Sequence, residues 1–209
     1  MHISEGVLSA PVLLAGAGAS LAGVAAGLKK MDTENVPRVA LLAAAFFIAS
    51  LVHLPIGPAN AHLILNGLMG FVLGWVAFPA IFVGLTLQAL LFQYGGITTL
   101  GVNTWNMAFP AVLCSLLFTP WIRNGSSRLF LPAAFLCGFL SVALSGLCVA
   151  GCLIFSGEEF FPVARILLAA HLPVMFVEGL VTAMICGFLR QVKPELLQGP
   201  GMPAGGGVS

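Results

Sequence analysis

Long apolar stretches, separated by short polar or glycine- and proline-rich breaks, dominate this sequence of 209 residues. Seven of them approach the ~20 residues that an α-helix needs to cross the ~30 Å core of a membrane, although the fourth is short. They cover about residues 6–28, 38–54, 61–78, 80–93, 104–120, 129–155 and 163–190. The second is expected to end before Pro55 and the third at Pro79, because proline interrupts a helix. The pattern predicts an all-α integral membrane protein with about seven transmembrane helices.

Composition supports this class and narrows the organisation. The chain is 59% hydrophobic and 7% charged, which no soluble domain of this size resembles. A net charge of +1 gives no reason to expect a nucleic-acid partner. We expect one transmembrane domain, residues 1–197, and a flexible Gly/Pro-rich tail, residues 198–209.

Charged residues near the helix ends predict the orientation. Glu5 is the only charge before the first apolar stretch, and Lys29-Lys30 follow it, whereas a signal peptide carries its basic residues first. We therefore expect this helix to stay uncleaved, with its N-terminus outside. With seven spans, seven of the eight basic residues then lie on or beside cytoplasmic segments: Lys29, Lys30, Arg38, Arg123, Arg128, Arg190 and Lys193. Arg165 is the exception. The C-terminus is predicted to be cytoplasmic.

Two outer segments carry many Gly, Pro and polar residues interrupted by apolar ones. Residues 55–62 join the second and third spans, and residues 93–104 join the fourth and fifth. Irregular backbone at membrane depth persists only where it is buried in protein or lines a wet cavity. These segments are interpreted as loops that fold inwards and shape an outward-facing pocket; ordinary surface connections are the alternative.

The first two residues can chelate a transition metal. The terminal amine of Met1, the backbone nitrogen of His2 and its imidazole form fused chelate rings, and the bulky His2 is expected to preserve Met1. One further nitrogen would close a four-nitrogen site, which suits Ni²⁺ or Cu²⁺, and imidazole also suits cobalt. His62 is favoured as this fourth ligand over His53, which could instead orient its neighbours.

Other polar residues have weaker assignments. Asn60 lies near His62, Gly95 and Gly96 open the second loop, and Asn103 and Asn106 could hold the N-terminal segment or that loop by hydrogen bonds. His171 and Glu178 are seven apart, so they share one face of the last span. Structural support is favoured for this pair over a place on an ion path, because buried ionisable groups in a membrane need partners.

The five cysteines lie in or beside apolar runs and are interpreted as small apolar side chains; the Cys148/Cys152 pair is weak evidence for metal binding. The sequence contains no GxxxxGK[ST], HExxH or GxSxG motif. ATP hydrolysis through a phosphate-binding loop is therefore excluded, and nothing indicates a membrane protease or esterase.

Three separated motifs resemble the CbiM/NikM family, the substrate-specific membrane subunits of energy-coupling-factor transporters for cobalt and nickel. Residues 1–8, MHISEGVL, are similar to the family's MHI-x-[DE]-G-[FYV]-L opening. Residues 95–104, GGITTLGVNT, resemble its GG-[LI]-T-[TA]-LG-[AV]-N-[ST] loop. The runs 171–173, 178–183 and 192–197 are similar to its last span and exit. The resemblance covers about residues 1–197.

The resemblance implies a metal site and partners. The ligands would be Met1, His2 and His62, and Co²⁺ or Ni²⁺ would be the transported substrate, with no organic cofactor. The partners would be a membrane coupling subunit, two ABC-type ATPase subunits and sometimes a small accessory membrane protein, in a prokaryotic plasma membrane. Asn60-Ala61 stand where Ser or Thr often precedes the histidine, which weakens the assignment of the metal. Thr98-Thr99 favour the cobalt branch slightly, while residues 106–108 and the planar nitrogen set also fit nickel.

Two rival functions remain open at this stage. A self-sufficient cation channel or carrier would conduct ions without ATPases. An intramembrane metalloenzyme built on His53, His62, His171 and Glu178 would need an open metal position with an activated water, against which a saturated four-nitrogen site argues.

Overall fold

Helices account for most of the chain, as expected for apolar stretches whose backbone groups have no water to bind within lipid. The computed structural model describes residues 2–51, 53–56, 59–124 and 127–197, and it gives the backbone alone at 53–56, 59–62, 123, 124, 127 and 195. The helices are α1 (Ala10–Lys29), α2 (Val36–Ala49), α3 (Asn66–Leu73), α4 (Ala77–Phe92), α5 (Leu100–Asn124), α6 (Ser127–Ser156) and α7 (Phe161–Val192). Short 3₁₀ turns cover Thr33–Asn35, Gly74–Val76, Glu158–Phe160 and Pro194–Leu197.

A short antiparallel hairpin interrupts the helices between α2 and α3. Strand β1 (His53–Ile56) pairs with β2 (Ala59–His62), and the register places the Cα atoms of His53 and His62 opposite each other. The prediction of an all-helical architecture is confirmed in its main feature, and the hairpin is an addition to it. Residues 55–62 were expected to form a loop, but most of this segment is paired strand.

Five stretches in the described part of the chain are long and apolar enough to cross a membrane: Ala10–Lys29, Asn66–Phe92, Leu100–Ile122, Arg128–Ser156 and Glu158–Val192. They make this a multi-pass membrane protein, and four of them match predicted spans. The fourteen-residue helix α2 is shorter than a full span.

Three of the predicted span boundaries are wrong. The second span was expected to reach residue 54, but α2 ends at Ala49. The third was expected to begin near residue 61, but α3 begins at Asn66. Pro79 does not end a helix; it is the third residue of α4, where a backbone N–H has no partner to lose within the helix. The break lies at Gly74, whose φ of 56° is accessible chiefly to glycine.

Helix α3 forms the centre of the bundle, and α1 lies at its edge. All eight residues of α3 are buried. A Cβ atom on Gly67 would come within 2.5 Å of the Gly138 Cα atom, and one on Gly70 within 2.1 Å of the Ala111 carbonyl oxygen. These glycines let α3 pack directly against α6 and α5. Only 17% of an 18-residue apolar window in Ala10–Lys29 is buried inside the protein, whereas 78% of the corresponding window in Asn66–Phe92 is buried.

Hydrogen bonds and ring contacts define two ends of the bundle. At one end, which we call the His2 end, His2 meets Gln88 near the end of α4, and Ser9 donates its N–H to Ser156 Oγ at the end of α6. At the opposite end, which we call the basic end, Lys30 lies 5.1 Å from the ring centre of Trp75. Two further contacts belong to the basic end: Arg38 donates to the Leu196 carbonyl, and Arg190 stacks over Phe130 at 4.5 Å.

Candidate metal site

The N-terminal segment folds into the protein and is held there through its backbone. Asn103 near the start of α5 accepts the Ile3 N–H at 2.9 Å and donates to the Ile3 carbonyl oxygen at 3.1 Å. Asn103 Nδ2 also donates to Thr99 Oγ1 at 3.2 Å, which fixes the orientation of the amide. The Ile3 side chain is fully buried, so burial of an apolar group adds to the two hydrogen bonds.

The His2 side chain is buried as well, with 2% of its surface exposed. Its Nε2 atom lies 2.6 Å from Gln88 Oε1, and Gln88 Nε2 donates to Ser50 Oγ. Gln88 lies near the end of α4 and Ser50 directly follows α2. The imidazole is therefore held by an amide of α4 that is itself held by the serine after α2, and a buried imidazole needs such a partner.

The segment between α4 and α5 covers the N-terminal residues. A Cβ atom on Gly95 would lie 3.0 Å from Asn103 Nδ2 and 3.5 Å from His2 Cβ. One on Gly96 would lie 1.8 Å from Glu5 Cγ, so this position accepts only glycine without rearrangement. Glu5 Oε1 in turn accepts the Thr98 N–H at 3.0 Å. Gly95, Gly96 and Asn103, which the sequence grouped with the pocket, thus contact the His2 segment; their role in binding stays a prediction.

The hairpin brings two further histidines together only at the level of the backbone. His53 and His62 face each other in its register, and Asn60 is paired with Pro55. The side chains of these residues, and the whole of Met1, lie outside the described part of the chain. Coordination by Met1 and His62, and the supporting roles given to His53 and Asn60, therefore stay predictions.

Glu178 holds the chain where the hairpin leads into α3. Its Oε1 atom accepts the N–H groups of Ile64 and Leu65, the latter at 2.8 Å, and Oε2 lies 3.0 Å from the Leu65 nitrogen. The carboxylate thus holds the backbone of the two residues immediately before α3. Beside it, Asn66 donates to Ser145 Oγ at 2.8 Å and accepts from Ser141 Oγ at 3.0 Å.

His171 and Asn106 make hydrogen bonds to other partners. His171 Nδ1 donates to the Leu167 carbonyl of its own helix at 2.6 Å, and its buried Nε2 has no hydrogen-bond partner among the described residues. Asn106 contacts the Cys152 sulfur of α6 at 3.6 Å, and the role expected for it beside the N-terminal segment or the second loop stays a prediction. The five cysteines are free thiols. Within the described residues, no three His, Cys, Asp or Glu side chains are grouped as metal ligands.

Three residues of the site were missed from the sequence. Ser50, Gln88 and Glu5 contact the N-terminal segment or its partners, and none was among the candidates. Gln88 carried a usable signal, because it is an amide within the apolar run of residues 80–92. The histidines were selected because polar groups are costly at membrane depth and therefore indicate function. The same argument applies to Gln88.

The multi-pass helical bundle is similar to solved structures of transition-metal transporters. A solved structure described as a transition metal transporter superposes on this chain with a TM-score of 0.81 at 27% sequence identity. The superposition covers 92% of this chain and 93% of the transporter chain. A Haemophilus influenzae protein named for metal transport is 38% identical over 201 residues, which are 94% of this chain and 97% of the relative.

The family model of CbiM, the cobalt uptake substrate-specific transmembrane region, matches residues 2–196, and the chain belongs to this family. A fused nickel transport protein, NikMN, of Rhodobacter capsulatus is 33% identical over 228 residues, with 98% of this chain and 66% of the relative covered. The resemblance stated from the three motifs is confirmed. The proteins similar to this chain are named as metal transporters and not as enzymes.

Proposed function

We propose that this chain is the substrate-binding membrane subunit of an ATP-driven energy-coupling-factor importer for Co²⁺ or Ni²⁺. It captures the ion with the Met1 amine, the His2 backbone nitrogen and imidazole, and a nitrogen of His62. The observation that carries the proposal is the burial of His2 in a segment pinned by Asn103. A polar residue so near a chain terminus is ordinarily solvated, and its burial in a transport protein has a ready reason in ligand binding.

The hairpin supports the choice of His62. Glu178 binds the backbone of Ile64 and Leu65, only two and three residues beyond His62. The position of the histidine backbone is thereby tied to α7, as a ligand with a defined geometry requires. The register also places His53 at the same end of the hairpin as His62, where it would orient His62 or replace it as the ligand.

We further propose seven crossings with the His2 end outside. Helix α4 begins near the basic end, where Gly27 of α1 approaches Pro79 and the Trp75 carbonyl, and it reaches the His2 end at Gln88. The hairpin and α3 together would make the preceding crossing in the other direction. Lys30, Arg38 and Arg190 lie at the basic end, which the positive-inside rule assigns to the cytoplasm.

Energy would come from other chains, because the sequence has no GxxxxGK[ST] motif. The partners proposed are a membrane coupling subunit, two ABC-type ATPase subunits and a small accessory membrane protein, in a prokaryotic plasma membrane. The fused Rhodobacter capsulatus relative, of which this chain covers 66%, supports association with a further component. The family description names cobalt and that relative's name nickel, so both metals remain candidates.

Anaerobic titration of the purified protein with CoCl₂ and NiCl₂ tests the capture site. We expect one tight metal equivalent, lost in His2→Ala, in His62→Ala and in a variant with three glycines added before Met1, which moves the amine away without placing the histidine third in the chain. Three glycines added at the C-terminus are the matched control for the extension, and gel filtration checks that each variant stays folded. Normal binding by the N-terminally extended protein would contradict a role of the terminal amine, and normal binding by His2→Ala would contradict the site.

A further inference from the structure

Four groups form a continuous chain of hydrogen bonds that ends on the His2 ring. The Phe47 carbonyl accepts from Ser50 Oγ at 2.8 Å, Ser50 Oγ accepts from Gln88 Nε2, and Gln88 Oε1 lies 2.6 Å from His2 Nε2. Ser50 and Gln88 are fully buried. Nothing in the proposed ligand set explains why a buried glutamine, itself held by a buried serine, should contact this nitrogen.

The direction of this chain is determined by its first member. A backbone carbonyl only accepts, so the Ser50 hydroxyl proton points to Phe47. The Ser50 oxygen is then an acceptor, and the Gln88 group facing it must be the NH₂. The carbonyl oxygen of the same amide consequently faces His2, and because this oxygen also only accepts, His2 Nε2 must carry a proton. A neutral imidazole protonated on Nε2 holds its lone pair on Nδ1.

We propose that Gln88 is a positioning residue that holds His2 in the Nε2-protonated tautomer and so presents Nδ1 to the metal. The assignment of Nδ1 as the donor rests on the proposed function. A metal bound to the His2 backbone nitrogen closes a small chelate ring through Nδ1, whereas the Nε2 lone pair points away from that nitrogen. Gln88 therefore contacts the one ring nitrogen that cannot join the chelate.

The consequence is a ligand prepared before the metal arrives. Without an acceptor on Nε2, the imidazole would divide between two tautomers and rotate about its χ angles, and part of the binding energy would be spent on selecting one state. An acceptor on the second nitrogen also raises the donor strength of the first. Loss of such an outer partner typically weakens metal binding by about 10–100-fold.

Three variants separate this role from general stability. Gln88→Leu removes the acceptor with little change in volume, and Gln88→Glu restores an acceptor for Nε2–H. Thr86→Val is the control on the same helix, since the Thr86 hydroxyl donates to the Phe82 carbonyl of α4 at 2.7 Å rather than to the N-terminal segment. Each is titrated with NiCl₂ and with CoCl₂. We expect Gln88→Leu to bind about 10–100-fold more weakly, and Gln88→Glu to recover most of the loss.

Imidazole nitrogen-15 NMR of the metal-free protein provides a readout that needs no metal. The His2 signals are identified by their absence in His2→Ala. The wild type should show His2 as the Nε2–H tautomer, and Gln88→Leu should show a mixture. An Nδ1–H tautomer in the wild type would overturn the proposal, and so would wild-type metal affinity in Gln88→Leu. If the wild type bound neither metal tightly but showed the Nε2–H tautomer, the capture function would fail while Gln88 would still determine the tautomer.

Discussion

Two buried polar clusters each hold an irregular piece of backbone, and they do so with different chemistry. The N-terminal cluster consists of His2, Ser50, Gln88 and Asn103. The mid-bundle cluster consists of Asn66, Ser141, Ser145 and Glu178. The first uses hydroxyl, amide and imidazole groups and contacts the side chain of a proposed ligand. The second contains a carboxylate and binds backbone N–H groups and its own members.

We interpret the N-terminal cluster as part of the proposed metal site and the mid-bundle cluster as structural support. Both Glu178 oxygens lie within hydrogen-bond distance of backbone N–H groups where α3 begins. That arrangement fits the structural support that the sequence analysis favoured over an ion path, and this role of Glu178 stays a prediction. In the N-terminal cluster, the fixed orientation of the Gln88 amide acts on one ring nitrogen of His2. Changes in the mid-bundle cluster should therefore alter stability first, and changes in the N-terminal cluster should alter metal binding first.

The largest effect on stability is expected from Glu178→Ala. The change leaves the buried N–H groups of Ile64 and Leu65 without their acceptor, and each unsatisfied donor costs about 1–3 kcal/mol. We expect the free energy of unfolding to fall by about 2–6 kcal/mol, measured by denaturant titration in detergent.

Glu178→Gln is the matched control, because its side-chain oxygen can still accept from both groups. It should lose much less stability than Glu178→Ala. A stable Glu178→Ala protein that had lost metal binding would reverse the comparison and assign the carboxylate to the ion.

A smaller effect is expected from Asn103→Ala. The change removes both hydrogen bonds to the Ile3 backbone, worth together about 2 kcal/mol, and releases the segment that carries His2. Metal affinity should fall, and hydrogen exchange of the Ile3 amide should become fast while the helices stay protected.

Asn106→Ala supplies the control for Asn103. Asn106 lies three residues further along α5 and is equally buried, but it contacts Cys152. It should leave exchange at Ile3 unchanged. Equal effects of the two variants would mean that Asn103 acts only through the packing of α5.

The helices were predictable because their cause is local. Apolar runs near membrane length must form helices, and the starts and ends of α1, α6 and α7 lie within a few residues of those predicted. The hairpin was not predictable in the same way, since Pro55 and Pro58 favour a loop and its stability depends on packing against distant helices. The prediction that Pro79 ends a helix was wrong because a proline is equally acceptable in the first turn of the next helix.

The site was predictable where the sequence carries a chemical argument and not where only the fold brings residues together. His2 stood out because its backbone and side chain can chelate together, and the structure finds it buried. Gln88 is 86 residues away from it and Ser50 is 38 residues from Gln88, so their contact depends on the packing of α2 and α4. Asn103 and Asn106 looked equivalent because positions three apart on a helix differ by only about 60°, but the packing around α5 gives them different neighbours.

The smallest effect in the comparison is expected from Ser50→Ala. Its cost in stability should be about 1 kcal/mol, the low end of the range for one buried donor left without its acceptor, because Gln88 and His2 keep their mutual hydrogen bond. The amide of Gln88, however, loses the partner that fixes its direction, so it can turn its NH₂ towards His2 and admit the other tautomer. Ser115→Ala is the matched control, since Ser115 is a buried serine that likewise donates to the carbonyl three residues before it, at 2.9 Å. We expect a mixed His2 tautomer and a loss of metal affinity of at most about tenfold in Ser50→Ala alone. A single Nε2–H tautomer in that variant would show that Gln88 holds its direction without Ser50, and the hydrogen-bond chain would then begin at the glutamine.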